Sequence, residues 1–245
     1  MNGKDSSAIR NCLFGMAMAE SSDDVGEVVK SVLCTCYALA DSDSKPEVFV
    51  KSLSKYLSGL EQKSDQLIAV RSLPIGLYND TLPSVIEWAR ESAMLSTNDP
   101  VITVSSAAVA LMGFLARNEV PVGLWGHELS LPLSGLALAP GLPKEIQVDD
   151  VFLGSLERAT SSAGSASIFP ATEAVHEVVS AALFGCMSSP DDVELAVSIA
   201  RDSCGIYAAC ISGGLIAIRA GIPFVSVNPL LHNLLSDAAK AFSDR

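Results

Sequence analysis

From Ala209 onward every fourth residue is small: Ala209, Gly213, Ala217 and Gly221. On a helix these positions form a single i±4 ridge. A ridge without side-chain bulk lets a neighbouring helix come very close, so this segment requires a partner helix packed directly against it. The stretch around it carries no charged residue between Asp202 and Arg219, and the stretch between Pro100 and Arg117 is alike. Each falls short of the ~20 apolar residues of a membrane span. Both read as buried core helices.

The same helical period runs through most of the chain, and strand alternation is scarce. Ile9, Leu13 and Met16 follow the i, i+4, i+7 rule, as do Val25, Val29, Val32 and Cys36. Ser44-Lys45-Pro46-Glu47 reads as a capping box with Pro in the first turn, where its missing N–H costs nothing. Phe49, Leu53, Tyr56 and Leu57 form the stripe behind it. Pro83 opens a helix whose inner face holds Ile86, Ala89 and Ala93. Val101 to Ala116 is a mostly buried helix, Thr172 to Met187 is one element, and Ser189-Pro190-Asp191-Asp192 caps the next.

Residues 118–147 break the period with Pro121, Gly123, Gly126, Pro132, Gly135, Pro140, Gly141 and Pro143. They read as a long surface excursion, and Thr160 to Ser167 as a second loose stretch. The expected fold class is all-α, an orthogonal helical bundle, with residues 1–245 as one domain.

The 245 residues carry a formal net charge of −12, which argues against unaided binding to a nucleic-acid backbone. An anionic ligand would need a metal or helix N-termini beside it. Cys12, Cys34, Cys36, Cys186, Cys204 and Cys210 lie within apolar patterns without zinc or disulfide spacing. With no basic start followed by an apolar run, the expected location is intracellular, in the cytoplasm, with no membrane association.

Several segments depart from a purely structural pattern. Ala196-Val197-Ser198-Ile199-Ala200-Arg201-Asp202-Ser203-Cys204-Gly205 resembles the C-terminal metal segment of the ADP-ribosylglycohydrolases, a pattern close to Ala-Val-Asn-Leu-Gly-Gly-Asp-Thr-Asp-Thr. The first Asp of that pattern falls on Asp202 and the second on Cys204. Its Gly pair falls on Ala200 and Arg201. Ser22-Asp23-Asp24-Val25-Gly26 is similar to the family's Thr/Ser-Asp-Asp-Thr-Gln motif. By local physics alone it is a helix N-cap, like Ser189-Pro190-Asp191-Asp192.

Phe14-Gly15-Met16-Ala17-Met18-Ala19 resembles the family's first helix, but only Glu20 and Ser21 then precede the acidic motif, where the family has a loop with an acidic residue. Ala69-Val70-Arg71-Ser72-Leu73-Pro74-Ile75-Gly76-Leu77-Tyr78 is similar to Ala-Leu-Met-Arg-Val-Ala-Pro-Leu-Gly-Leu. Asp65-Gln66-Leu67 stand where the family has the Gly-Asn-Gly that approaches its ligand. Thr97 and Asp99 stand where it has His-X-His.

The resemblance implies a metal set of Ser22, Asp23, Asp24 and Asp202, with Asp24 as the catalytic candidate. It implies Mg²⁺ as the cofactor, weakened or lost here. Magnesium wants oxygen ligands, and a thiol at Cys204 suits zinc better. The expected function is therefore an ADP-ribosylglycohydrolase-like protein with an eroded dinuclear magnesium site, non-catalytic or weakly active. It would bind an ADP-ribose-like ligand or an ADP-ribosylated protein, or serve as a soluble structural or interaction protein like the family's crystallin-like relatives. The alternative is an active hydrolase that cleaves ADP-ribose from a protein or small-molecule acceptor with a reduced metal site. His127, His176 and His232 lie far apart in sequence, without a metal-type partner on the same helix face. The sequence leaves the oligomeric state open.

Overall fold

The computed structural model describes residues 4–20, 26–60, 64–137, 148–161, 174–221 and 229–243. In chain order the helices are α1 (Lys4–Glu20), α2 (Glu27–Asp41), α3 (Pro46–Leu57), α4 (Asp65–Val70), α5 (Leu73–Tyr78), α6 (Leu82–Met94) and α7 (Pro100–Arg117). A 3-10 turn at Val122–Leu124 leads into α8 (Trp125–Ala137). Then come α9 (Val148–Ser161), α10 (Val175–Ser188), α11 (Val193–Ala220) and α12 (Pro229–Ser243). No strand occurs among the described residues, and the fold is all-α.

The axis of the bundle is α7. Its uncharged run is buried on nearly every face, and it touches α4, α5, α6, α8, α9, α10 and α11. Asp99 starts it by accepting the Val101 N–H at 2.7 Å. By length and composition alone α7 and α11 could each cross a membrane. Burial inside the protein, 83% of the apolar window for α7 and 61% for α11, makes them core helices.

The small-residue ridge works as its spacing implies. Ala209, Gly213 and Ala217 are buried, and α1 packs more heavily on α11 than any other pair of helices packs. A Cβ on Gly15 would meet the Gly213 carbonyl oxygen at 2.2 Å and the Ala217 Cβ at 2.6 Å. Ile9, Leu13 and Met16 fill the core beside this contact. Gly221 is not part of the ridge. It lies just past the helix at φ 78°, where its job is the turn that ends α11.

Two further expectations are corrected. Ser44 is not an N-cap: it sits at φ 60° in the left-handed region, and its hydroxyl meets Tyr78 Oη at 3.2 Å. Lys45 occupies the cap position without a side-chain bond. Residues 118–147 are not all an excursion, because α8 runs through Pro132. Trp125, Leu129 and Leu133 recur at a spacing of four and are fully buried, and that burial outweighs the one backbone bond Pro132 removes. Trp125 Nε1 and Arg219 Nη1 both donate to the Val120 carbonyl, at 2.9 and 2.7 Å, pinning α8 to the end of α11. The later part of that segment, 138–147, lies outside the described residues, as does most of Thr160 to Ser167.

Candidate functional site

The long helix α11 is broken once. Cys204 has φ −151° and Gly205 has φ 81°, ψ −162°, so the first half ends at Ser203 and a new helix starts at Ile206. The left-handed φ at Gly205 strains any residue with a Cβ, which is why a glycine stands there. Asp202 lies in the last turn before the break and is exposed. Cys204, in the break, is half-buried. Its thiol is pushed up to about 11, first by burial and then by the nearby Glu177 carboxylate, so it is neutral at neutral pH.

One turn earlier on the same helix, Arg201 Nη2 donates to the carbonyl of Ala19, at the end of α1. The next residue, Glu20, turns its carboxylate onto the head of α2. Oε1 accepts the Val28 N–H at 3.0 Å and Oε2 the Val29 N–H at 3.3 Å. These are orphan donors of a helix start, and a carboxylate is their natural complement. Burial still raises the Glu20 pKa, against the pull of those two N–H groups. Gly26 makes room for this arrangement: a Cβ there would stand 1.9 Å from the Glu20 carboxyl carbon.

Just beyond the break, Tyr207 accepts a hydrogen bond from Ser64 Oγ at 3.2 Å. Ser64 caps α4 and also lines an open cleft of about 530 Å³. The cleft is walled by Ser54, Ser58, Ser64, Ser96 and Asp65, with Leu57, Leu60, Ile68 and Leu95 as its apolar surface. Arg71 lies behind it, wholly buried, and donates through Nη2 to the Ser92 carbonyl at 2.6 Å and to Ser96 Oγ at 3.1 Å. Burial lowers its pKa to about 10, so it stays a cation at neutral pH. The cleft's sequence landmarks are the Asp65-Gln66-Leu67 segment on one side and Ser96, next to Thr97, on the other.

A second polar cluster lies near Cys204. The buried Glu177 carboxylate on α10 pairs with Arg158 of α9 and accepts from Ser155 Oγ at 3.2 Å. Ser155 Oγ also lies 2.8 Å from Ser180 Oγ, within hydrogen-bond reach. His176 Nε2 is 3.6 Å from Glu177 Oε1, while His176 Nδ1 is buried without a hydrogen-bond partner among the described residues.

The family model described as ADP-ribosylglycohydrolase matches residues 7–244. The chain belongs to this family. A solved structure named "ADP-ribosylglycohydrolase-related protein complex" superposes with a TM-score of 0.68 over 99% of both chains, at 13% sequence identity. At that identity the likeness carries the fold. No curated protein matches the chain in sequence.

Of the ADP-ribosylglycohydrolase metal positions read from the sequence, Ser22, Asp23 and Asp24 lie outside the described residues. Asp202 is described, at the break. Among the described residues no three His, Cys, Asp or Glu side chains group to hold a metal ion. The donor chemistry is a separate matter: the position to which the resemblance assigns the second carboxylate holds a thiol, and a guanidinium stands one residue before Asp202. Those residues do not suit a dinuclear magnesium centre. The flanks of the two motifs do meet, since Arg201 bonds Ala19 across 182 positions of sequence.

Sequence reasoning missed Glu20 as a cap, Arg201 as a bridge and Glu177 as a buried carboxylate. Glu20 caps a helix that starts several residues later, so no capping-box spacing marks it. Glu177 carried a signal, a charge within the apolar pattern of α10, beside His176.

Proposed function

We propose that this chain is a pseudoenzyme of the ADP-ribosylglycohydrolase family, non-catalytic or very weakly active, that keeps the family cleft as a binding surface for an ADP-ribose-like ligand. The observation that carries the reading is Cys204. It lies in the helix break beside Asp202, where the resemblance places a metal carboxylate, and burial holds it as a neutral thiol. Magnesium gains little from a neutral sulfur, and one carboxylate does not hold two cations against their mutual repulsion.

The cleft supports the binding half of the reading. Four serine hydroxyls and one carboxylate offer donors and acceptors for sugar hydroxyls, and three leucines with Ile68 offer an apolar surface for a ring. The test is titration calorimetry with ADP-ribose, with and without magnesium, beside an assay for ADP-ribose release from a modified protein. The expected result is binding heat with ADP-ribose and no release. Release that requires magnesium would overturn the proposal.

A further inference from the structure

We propose that Glu20, Gly26 and Arg201 form an internal clasp that ties the end of α1 to the head of α2 and to the last turn before the break in α11, so that the chain's own charges hold these elements and no divalent cation is needed to do so. Two independent contacts carry it, and both run between helix ends. Arg201 reaches from α11 to the Ala19 carbonyl, one of the C-terminal acceptors of α1 that the helix itself leaves without a partner. A cation is the favoured occupant of that end of a helix dipole. Glu20, the next residue along, places its carboxylate on the Val28 and Val29 N–H groups at 3.0 and 3.3 Å. An anion is the favoured occupant of that end.

The two charged groups therefore complete two opposite helix termini that meet at one junction. They also share a field: the buried Cys210 thiol is raised by Glu20 and lowered by Arg201, after the larger effect of burial. Gly26 is the third part. Its φ of −68° is open to any residue, so backbone freedom does not explain the glycine. Space does. The Glu20 carboxylate fills the volume where a Gly26 side chain would stand, with Cδ and Oε1 both 1.9 Å from an ideal Cβ. Because that carboxylate is the far end of a flexible side chain, a Cβ at residue 26 would evict it and leave the backbone in place.

This clasp goes beyond the binding reading and stands on different contacts, so heat stability tests it while ligand heat tests the other. Melting midpoints would be measured for the full chain in EDTA and in millimolar magnesium, and for Glu20→Ala, Gly26→Ala, Arg201→Ala and the Glu20→Ala/Gly26→Ala pair. The expected midpoint of the unaltered chain is the same in EDTA and magnesium. Each single change lowers it by about 2–4 °C, the shift expected for losing a helix cap in a chain of this size. The pair falls no further than Glu20→Ala alone, because both changes empty the same seat. Arg201→Lys keeps the charge, and recovers part of the loss in Arg201→Ala even if the Ala variants express poorly. A midpoint raised several degrees by magnesium, or additive losses for Glu20→Ala and Gly26→Ala, would overturn the clasp.

Discussion

Gly15 and Gly213 face each other across α1 and α11 with no room for a side chain on either. A Cβ on Gly213 would stand 2.6 Å from the Gly15 carbonyl oxygen, and the reverse distance is 2.2 Å. Both obstacles are backbone, so neither can swing aside. Gly213→Leu must push the helices apart and is expected to cost ~1–3 kcal/mol or more from overpacking. Gly15→Ala is expected to do the same despite adding one methyl group. Urea titrations of both variants check this, and a midpoint unchanged in either would refute the close approach.

Arg71 is a cation with no surface exposure. Its Nη2 is bonded to one carbonyl and one hydroxyl of the α6 end. Arg71→Ala leaves a cavity and removes the donor to both groups, with an expected loss of ~3 kcal/mol. Arg71→Lys is not a full rescue, because a compact, strongly hydrated ammonium costs more to bury than a guanidinium. Ser96 lines the cleft, so ligand heat should fall with stability in the lysine variant. A lysine variant that matches the unaltered protein in both readouts would show that any buried cation suffices there.

His176 gives the protein an acid-side weakness. Burial lowers its pKa from 6.5; Arg158 pulls the same way, and Glu177 opposes them. The folded state thus holds the proton less tightly than the unfolded chain. The stabilising contribution is present above the unfolded value of 6.5 and is lost as pH falls through the lower folded value. Stability should decline as pH is lowered from about 7 towards 5. His176→Asn should flatten that part of the curve, measured by urea midpoints across pH. A slope identical in the two proteins would assign the acid sensitivity to other groups.

The scaffold was more legible in the sequence than the junction of α1, α2 and α11. Ile9, Leu13, Met16, Phe49 and Leu53 announce their burial by spacing, because a helix buries residues that recur on one face. The same signal was present in Trp125, Leu129 and Leu133 but was hidden by the surrounding Gly and Pro. Gly221 carried the ridge's spacing yet ends the helix, since periodicity does not mark where a turn begins. The junction was illegible for a different reason. Glu20 and Arg201 act through contacts made across helix ends, and nothing in their neighbouring residues predicts the partner.

Cys204→Asp places a carboxylate where the resemblance assigns the second metal ligand, but it leaves the Arg201 guanidinium one residue from Asp202, and a fixed cation opposes a second one. Magnesium heat is therefore expected to be small in Cys204→Asp and larger in Cys204→Asp/Arg201→Gly, which also restores one of the family's glycines. Neither variant is expected to release ADP-ribose from a modified protein. A restored ligand does not rebuild Asp65-Gln66-Leu67 as a glycine loop, and it does not return the acidic loop missing after Ala19. Metal affinity without turnover would mean that the position was inherited and the remaining machinery was lost. The opposite outcome is equally plain: release by the unaltered protein, abolished by Asp24→Asn with the fold intact, would make this chain an active hydrolase with a reduced site.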